Sequence, residues 1–284
     1  KMVMDSIEKH RRLKVDAEKA CSVSAKERQN KARSSKYVAD DGEFPSPLPF
    51  TGKPYLTLLC HCWPRGENWR WHASMTRRLS GVFDRMVMGV ATDESTYSME
   101  DVVSEFGTGW EYIHVSNSVP DGKKHGLREV ATYKIMLPLV RSIGINDVTF
   151  CMQCKGAQEH TENSGEVRWW TEAMYDTVIF NVDGVLAEME KGAHTVGSFR
   201  RKGRMLGAKN QWHYSGSFYA IRNHIVFANG VPKMKERWFG FESWPGDHVK
   251  YNSSACIFGD NTGRLYDRSN QPRDELIKWK AENA

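Results

Sequence analysis

Tyr55-Leu-Thr-Leu-Leu-Cys-His-Cys62 is a continuous apolar run that ends at Trp63-Pro64, the form of a strand buried on both faces of a parallel sheet. A helix is expected next, over Trp69 to Leu79 with Asn68 as its N-cap. The pattern then repeats. Arg85-Met-Val-Met-Gly-Val-Ala91 reads as a second buried strand closing on Thr92-Asp93-Glu94, and Ser98-Met-Glu-Asp101 opens a short helix to Phe106. Tyr112-Ile-His-Val115 is the third strand, Leu127 to Arg141 the third helix with a kink at Pro138, and Asp147 to Gln153 the fourth strand. Three β-α units in succession imply an α/β fold with right-handed crossovers.

A sheet of this kind binds ligands beyond the carboxyl ends of its strands. Those ends are Cys62-Trp63-Pro64-Arg65, Thr92-Asp93-Glu94, Ser116-Asn117 and Cys154-Lys155-Gly156. No Gly-x-Gly-x-x-Gly follows the first strand, and no phosphate loop ending in Gly-Lys-Ser or Gly-Lys-Thr occurs anywhere. Dinucleotide dehydrogenase and phosphate-loop ATPase readings lose their main support.

The rest of the chain is consistent with an ordinary globular protein. Its 284 residues are 40% hydrophobic and 26% charged, with a net charge of +5. No apolar run approaches the ~20 residues that span a bilayer. The start, Lys1-Met-Val-Met-Asp5, has no signal-peptide core, so the expected location is cytoplasmic. Six cysteines are too few for a disulfide scaffold. Cys60-His-Cys62 and Cys151-Met-Gln-Cys154 invite a metal or redox reading, but cysteine within strand-like apolar runs is more often a small buried hydrophobe.

Residues 1–44 hold eleven of the basic and eight of the acidic side chains, a net of +3, with ten basic against three acidic between Lys9 and Lys36. Such an arm buries little of its own surface. It reads as a solvated helix or mobile tail, with an electrostatic handle for DNA or another polyanion as the functional alternative. Phe44-Pro-Ser-Pro-Leu-Pro-Phe50 is a stiff extended linker. The division expected is therefore 1–50 for arm and linker and 51–284 for one α/β domain.

In the second half, Glu166-Val-Arg-Trp-Trp-Thr-Glu-Ala-Met-Tyr175 is an amphipathic helix whose tryptophans belong to packing. Gly216, between Ser215 and Ser217, marks close approach of another group to the backbone. Further on, a carboxylate at Glu242, set among Trp238, Phe239, Phe241 and Trp244, loses solvation, which suits it to proton transfer; a helix-start or salt-bridge role is equally consistent with the pattern.

From Tyr55 to Tyr266, the nucleotide-binding type of α/β half, then His213-Tyr-Ser-Gly-Ser-Phe-Tyr-Ala-Ile-Arg222, then Gly240-Phe-Glu-Ser-Trp-Pro-Gly246, resemble glycosyltransferases of the GT-A fold, in particular a bacterial and phage branch of them. The resemblance implies a single GT-A-like (Rossmann-like) domain with a mostly parallel central sheet flanked by helices. It implies transfer of a sugar from a nucleotide-diphosphate sugar to a hydroxyl, with Glu242 as base and His213 as second candidate. Asp93, Asn117, Arg128, Lys155 and Gly156 then fall on the donor side, and Tyr214, Ser215, Gly216 and Trp244 on the acceptor side. The departure from the family is at the fourth strand, where metal-dependent members carry Asp-x-Asp and this chain reads Met152-Gln-Cys-Lys-Gly156. Lys155 would supply the positive charge directly, so no cofactor is expected, with manganese or magnesium as the alternative. Asp183 and Asp260 are other acidic candidates for such a cation. A glycan or small molecule is the expected acceptor, and a hydroxymethylated DNA base presented through the basic arm is the alternative. A non-catalytic carbohydrate- or nucleic-acid-binding protein on the same fold is the competing class.

Overall fold

The computed structural model describes residues 46–118, 126–140, 144–156, 164–203, 212–237, 239–263 and 265–283. The basic arm of residues 1–44 and Trp238 lie outside them. The body is built on a seven-stranded sheet of order β3-β2-β1-β4-β8-β5-β9, beside a two-stranded ribbon of β6 and β7. The seven strands are β1 (Leu56–Cys62), β2 (Arg85–Thr92), β3 (Glu111–Ser116), β4 (Val148–Gln153), β5 (Thr195–Ser198), β8 (Tyr219–Arg222) and β9 (Ser254–Phe258). The ribbon pairs β6 (Arg200–Lys202) with β7 (Trp212–Tyr214). β1 runs parallel to both β2 and β4, β2 is parallel to β3, and β5 is parallel to β9. β8 alone is antiparallel, wedged between β4 and β5. The chain thus adopts the expected α/β fold, with a mostly parallel central sheet flanked by helices.

Strand parity sorts the core into two layers. All seven residues of β1 are buried; Leu58, Cys60 and Cys62 join one layer and Leu59 the other, because successive side chains leave opposite faces. The first layer packs under α1 (Trp69–Thr76), α2 (Met99–Phe106), α4 (Ser164–Met174), α5 (Val182–Glu190) and α6 (Arg273–Glu282). The second packs under α3 (Glu129–Val140), with Trp212, Tyr214, Phe241 and Trp244 completing it. α3 approaches the sheet over Gly89 of β2, where an added Cβ would lie 2.6 Å from the Thr132 Cβ. A larger residue there would push the helix off the strands.

Local details follow the chemistry with two departures. Ser98 and Asp101 form a reciprocal capping box on α2, each side chain accepting from the other's backbone N–H at 3.1 and 3.0 Å, an arrangement that stabilises a helix start by about 1 kcal/mol. Asn68, by contrast, makes no side-chain cap on α1. Its Nδ2 donates instead to the Gly156 carbonyl at 3.2 Å, tying the helix start to the end of β4. The linker is the second departure. Leu48 N donates to the Glu190 carbonyl, the buried Arg222 donates to the carbonyls of Leu48 and Pro49, and its guanidinium lies 4.3 Å from the Phe50 ring centre. These contacts carry the folded body back to Leu48.

The two cysteine pairs belong to this packing. Cys60, Cys62, Cys151 and Cys154 are free, buried thiols. Burial raises the pKa of Cys62, Cys151 and Cys154 well above the ordinary thiol value, so they stay protonated. Among the described residues no helix is long and apolar enough to cross a membrane.

Candidate functional site

The carboxyl ends of β1, β2 and β3 open onto a cleft of about 620 Å³ lined by Trp63, Arg65, Asp93, Asn117 and Arg128 among others. Asp93 organises it. One carboxylate oxygen accepts from the Trp63 indole at 3.0 Å and the Asn117 amide at 2.9 Å; the other accepts from the backbone N–H and hydroxyl of Ser95 at 2.9 and 2.5 Å. Burial pushes this carboxyl up, but the hydrogen bonds from Ser95, Asn117 and Trp63 outweigh it and hold it below its ordinary value. With four donors on two oxygens the group is saturated. Asp93 therefore lies in the cleft as expected, with its charge used to fix the cleft wall.

Asn117 passes the constraint on, since its Oδ1 accepts from the Arg128 backbone N–H at 2.8 Å. Arg128 sits at φ 49°, a conformation that costs a non-glycine residue roughly 1 kcal/mol or more and marks a position the surroundings dictate. Its guanidinium lies 4.3 Å from the Trp63 ring centre, and that of Arg65 5.4 Å from the same ring. Burial and the Arg65 charge both lower the Arg128 pKa. Two cations beside one indole, at the end of a parallel sheet, make a cleft suited to an anion.

The residue after Arg128 opens a second cluster. Glu129 is only 8% exposed, and its Oε2 accepts from Ser217 Oγ at 3.2 Å. Glu242 is equally buried, and its Oε1 accepts from Gly216 N at 2.9 Å. The turn between β7 and β8 is thus held by one carboxyl at Gly216 and another at Ser217, both residues having positive φ, 89° and 62°. Gly216 is required twice over, because a Cβ there would also meet the Met174 sulfur at 2.7 Å. Gln153, the last residue of β4, donates to the Gly216 carbonyl at 3.0 Å. Burial, then the Glu242 charge, push the Glu129 carboxyl up to about 7, while Lys155 pulls the other way.

Lys155 and Gly156 follow β4 and are strapped from α1. His72 Nε2 donates to the Lys155 carbonyl at 2.9 Å and its Nδ1 lies 3.0 Å from the Tyr175 hydroxyl, which fixes a neutral tautomer. Burial lowers its pKa to about 4. The Lys155 ammonium lies 5.1 Å from the Trp170 ring centre.

Four of the acceptor-side and catalytic candidates are placed as follows. His213 is 2% exposed, its Nδ1 makes no hydrogen bond among the described residues, and burial lowers its pKa, with Glu242 near enough to oppose the shift. Ser215 is buried beside it in sequence, its Oγ also without a described partner. Tyr214 and Trp244 are buried in the core. The Tyr214 hydroxyl lies within hydrogen-bond distance of the carbonyls of Thr195 and Ala255, at 3.1 and 2.7 Å, inside the second core layer. Trp244 is 1% exposed and donates its indole N–H to Pro232. Both side chains are packed in the second core layer, which is what aromatic bulk with one satisfied polar handle does best.

Among the described residues, those at the end of β4 do not fit a divalent cation. Where two carboxylates would stand after β4 the chain offers Gln153, a protonated Cys154 and the Lys155 ammonium, whereas hard divalent cations take oxygen donors. Among the described residues no group of three or more His, Cys, Asp or Glu side chains converges on one point. Asp260 is taken by Arg200, through Nε and a terminal nitrogen at 3.1 and 2.7 Å. Asp183 lies in the first turn of α5, on a surface hollow with Phe50 and Glu190.

No family model and no curated protein matches the sequence. Solved structures of glucosyl-3-phosphoglycerate synthase from Mycobacterium tuberculosis are similar to the chain. The complex with Mn2+, UDP and phosphoglyceric acid is 15% identical over 81% of this chain and 75% of that one, with a TM-score of 0.38. The complex with Mn2+, UDP and glucosyl-3-phosphoglycerate is 14% identical over 84% of each chain, with a TM-score of 0.40. At these values the likeness adds nothing to the residue-level reading.

Proposed function

We propose that the chain transfers a sugar from a nucleotide-diphosphate sugar to a hydroxyl acceptor. The observation that carries this reading is the adjacency of Arg128 and Glu129: one lines the anion-suited cleft at the strand ends, the next shares the Gly216–Ser217 turn with Glu242. The donor cleft and the turn that holds Glu242 are thus tied together by two adjacent residues of the chain. In this reading the nucleoside diphosphate lies against Trp63 and Asn117, with Arg128, Arg65 and Lys155 facing its phosphates. The acceptor oxygen bonds to the anomeric carbon as its proton passes to Glu242. The bond from that carbon to the diphosphate breaks, and its electron pair leaves with the diphosphate, whose charge the cations stabilise. A glycan or small molecule is the acceptor proposed.

The competing reading, a binding protein that does not turn over its ligand, draws on one observation, the absence of a carboxylate pair after β4. Release of free nucleoside diphosphate from UDP-, GDP- and dTDP-sugars, with and without hydroxyl acceptors, separates the two. Release that Glu242→Gln abolishes supports transfer. Nucleotide binding without release under any acceptor supports the binding protein.

A further inference from the structure

His61 is a buried ring that the transfer chemistry above leaves unused. It is the second-last residue of β1, 4% exposed, and its Nδ1 lies 3.0 Å from the Thr132 hydroxyl of α3. The tautomer follows from the donors. The Thr132 hydroxyl donates its only proton to the Glu129 carbonyl at 2.9 Å, so toward the ring it can only accept, and Nδ1 carries the hydrogen. A second proton, on Nε2, would make the ring a cation, which burial and the Arg128 charge both oppose, lowering its pKa to about 3. Nε2 is thus a bare acceptor. It makes no hydrogen bond among the described residues and is not one of their fully enclosed unpartnered polar atoms, so it lies on the small part of the ring that stays open.

The ring stands between the two halves of the site. Thr132 is one helical turn beyond Arg128, which lines the strand-end cleft, and beyond Glu129, whose carboxyl holds Ser217. On the other side the parallel register sets His61 beside Gln153 of β4 on the same sheet face, and the Gln153 amide donates to the Gly216 carbonyl at 3.0 Å. A donor with its nucleoside against Trp63 and Asn117 and its phosphates at Arg128 carries its sugar past this ring toward the turn that holds Glu242. A bare ring nitrogen meets a phosphate oxygen as lone pair against lone pair, whereas a sugar hydroxyl brings the proton it needs. We propose that His61 Nε2 accepts a hydrogen bond from a hydroxyl of the transferred sugar, which makes His61 a specificity-determining residue for the donor. A sugar without that hydroxyl leaves a buried acceptor unpaired, and discrimination follows from that cost. The ligand's identity rests on the transfer reading, whereas the tautomer rests on the geometry alone.

Spectra of the full chain with 15N-labelled histidine rings test this. One ring, absent in His61→Gln, is expected in the neutral Nδ1–H form at pH 7. UDP-, GDP- and dTDP-sugars are titrated by calorimetry with and without manganese. The nucleotide sugar that binds is expected to shift the Nε2 resonance of that ring, and its nucleoside diphosphate is expected to leave it in place. Deoxy analogues of the same donor repeat the test in the wild-type chain: loss of one particular hydroxyl is expected to weaken binding about tenfold, and His61→Phe is expected to lose that discrimination. A ring that is charged or Nε2–H at pH 7, a resonance that the bound nucleotide sugar leaves unmoved, or one that the nucleoside diphosphate moves equally would refute the assignment and leave the transfer reading standing. Equal binding of every deoxy analogue, or discrimination retained in His61→Phe, would do the same. If no nucleotide sugar binds, the donor reading falls and the assignment falls with it.

Discussion

Asp93 and Glu129 are carboxylic acids at the same end of one sheet, and their surroundings treat them in opposite ways. Asp93 is partly open to solvent, saturated by four hydrogen bonds and held below its ordinary pKa. Glu129 is closed off, accepts from the Ser217 hydroxyl and the Glu242 backbone N–H, and is nevertheless raised to about 7 by burial and the Glu242 charge. Burial and neighbouring charge on one side, and saturation by hydrogen bonds on the other, set the two carboxyls apart, not residue type.

The largest effect that would test this division concerns the partner of the second acid. Glu242→Gln is expected to cut sugar transfer by roughly 10²- to 10⁴-fold, the range for losing a general base, while nucleotide affinity measured by titration calorimetry stays at the wild-type value. Equal losses in both would make Glu242 part of the frame.

Next in size is the pH dependence of stability. Glu129, raised in the fold, favours the folded state as pH falls from about 7 toward the ordinary carboxylate value. His61, lowered to about 3, and His72, lowered to about 4, act the other way, because the unfolded chain takes up their protons below about 6.5. Two protons oppose one between roughly pH 6.5 and 4.5, so stability should fall there by about 1.4 kcal/mol per pH unit. Glu129→Gln removes the opposing proton. It should therefore steepen the acid loss and, at pH 8, stabilise the chain by about 3 kcal/mol. Chemical denaturation at pH 5, 6.5 and 8 measures both.

Asp93→Ala should cost about 1–3 kcal/mol by leaving the Trp63 indole and the Asn117 amide without their acceptor, read as a lower midpoint of denaturation. Nucleotide affinity should fall with it. Because Asp93 is ionised well below neutrality, that cost should be nearly constant from pH 6 to 8, in contrast to Glu129→Gln. The smallest effect is expected at the turn itself. Gly216→Ala places a side chain at φ 89°, a strain of about 1–2 kcal/mol, and transfer is expected to fall as the strained turn moves its N–H away from Glu242.

The strands and helices up to β4 were legible because each parallel strand is a short apolar run closed by polar residues, and β1 to β4 fall within one or two residues of the run ends. The place of β8 was not, since an antiparallel strand inserted between β4 and β5 is a long-range pairing with no local mark. On the site side, Asp93, Asn117 and Arg128 could be read from strand ends alone, and the structure brings them into one cleft. Trp63 and Arg65 were visible as the first strand end, but nothing in the sequence showed two guanidiniums beside one indole. Glu129 escaped entirely. An acid in the first turn of a helix ordinarily reads as a complement to the helix dipole, and only the fold reveals that it is buried against Ser217. Tyr214 and Trp244 are the reverse case, aromatic residues next to a motif that the fold buries in the core.

The measurement that bears most directly on the central claim is calorimetric titration of nucleoside diphosphates and nucleotide sugars into the full chain in EDTA, repeated for Arg128→Ala. A nucleoside diphosphate should bind without a divalent cation, and Arg128→Ala should weaken it about tenfold or more, the loss of a charge-assisted contact. Binding unaltered by Arg128→Ala, or no binding of any nucleotide with or without manganese, would contradict the assignment of the strand-end cleft to a nucleotide-sugar donor.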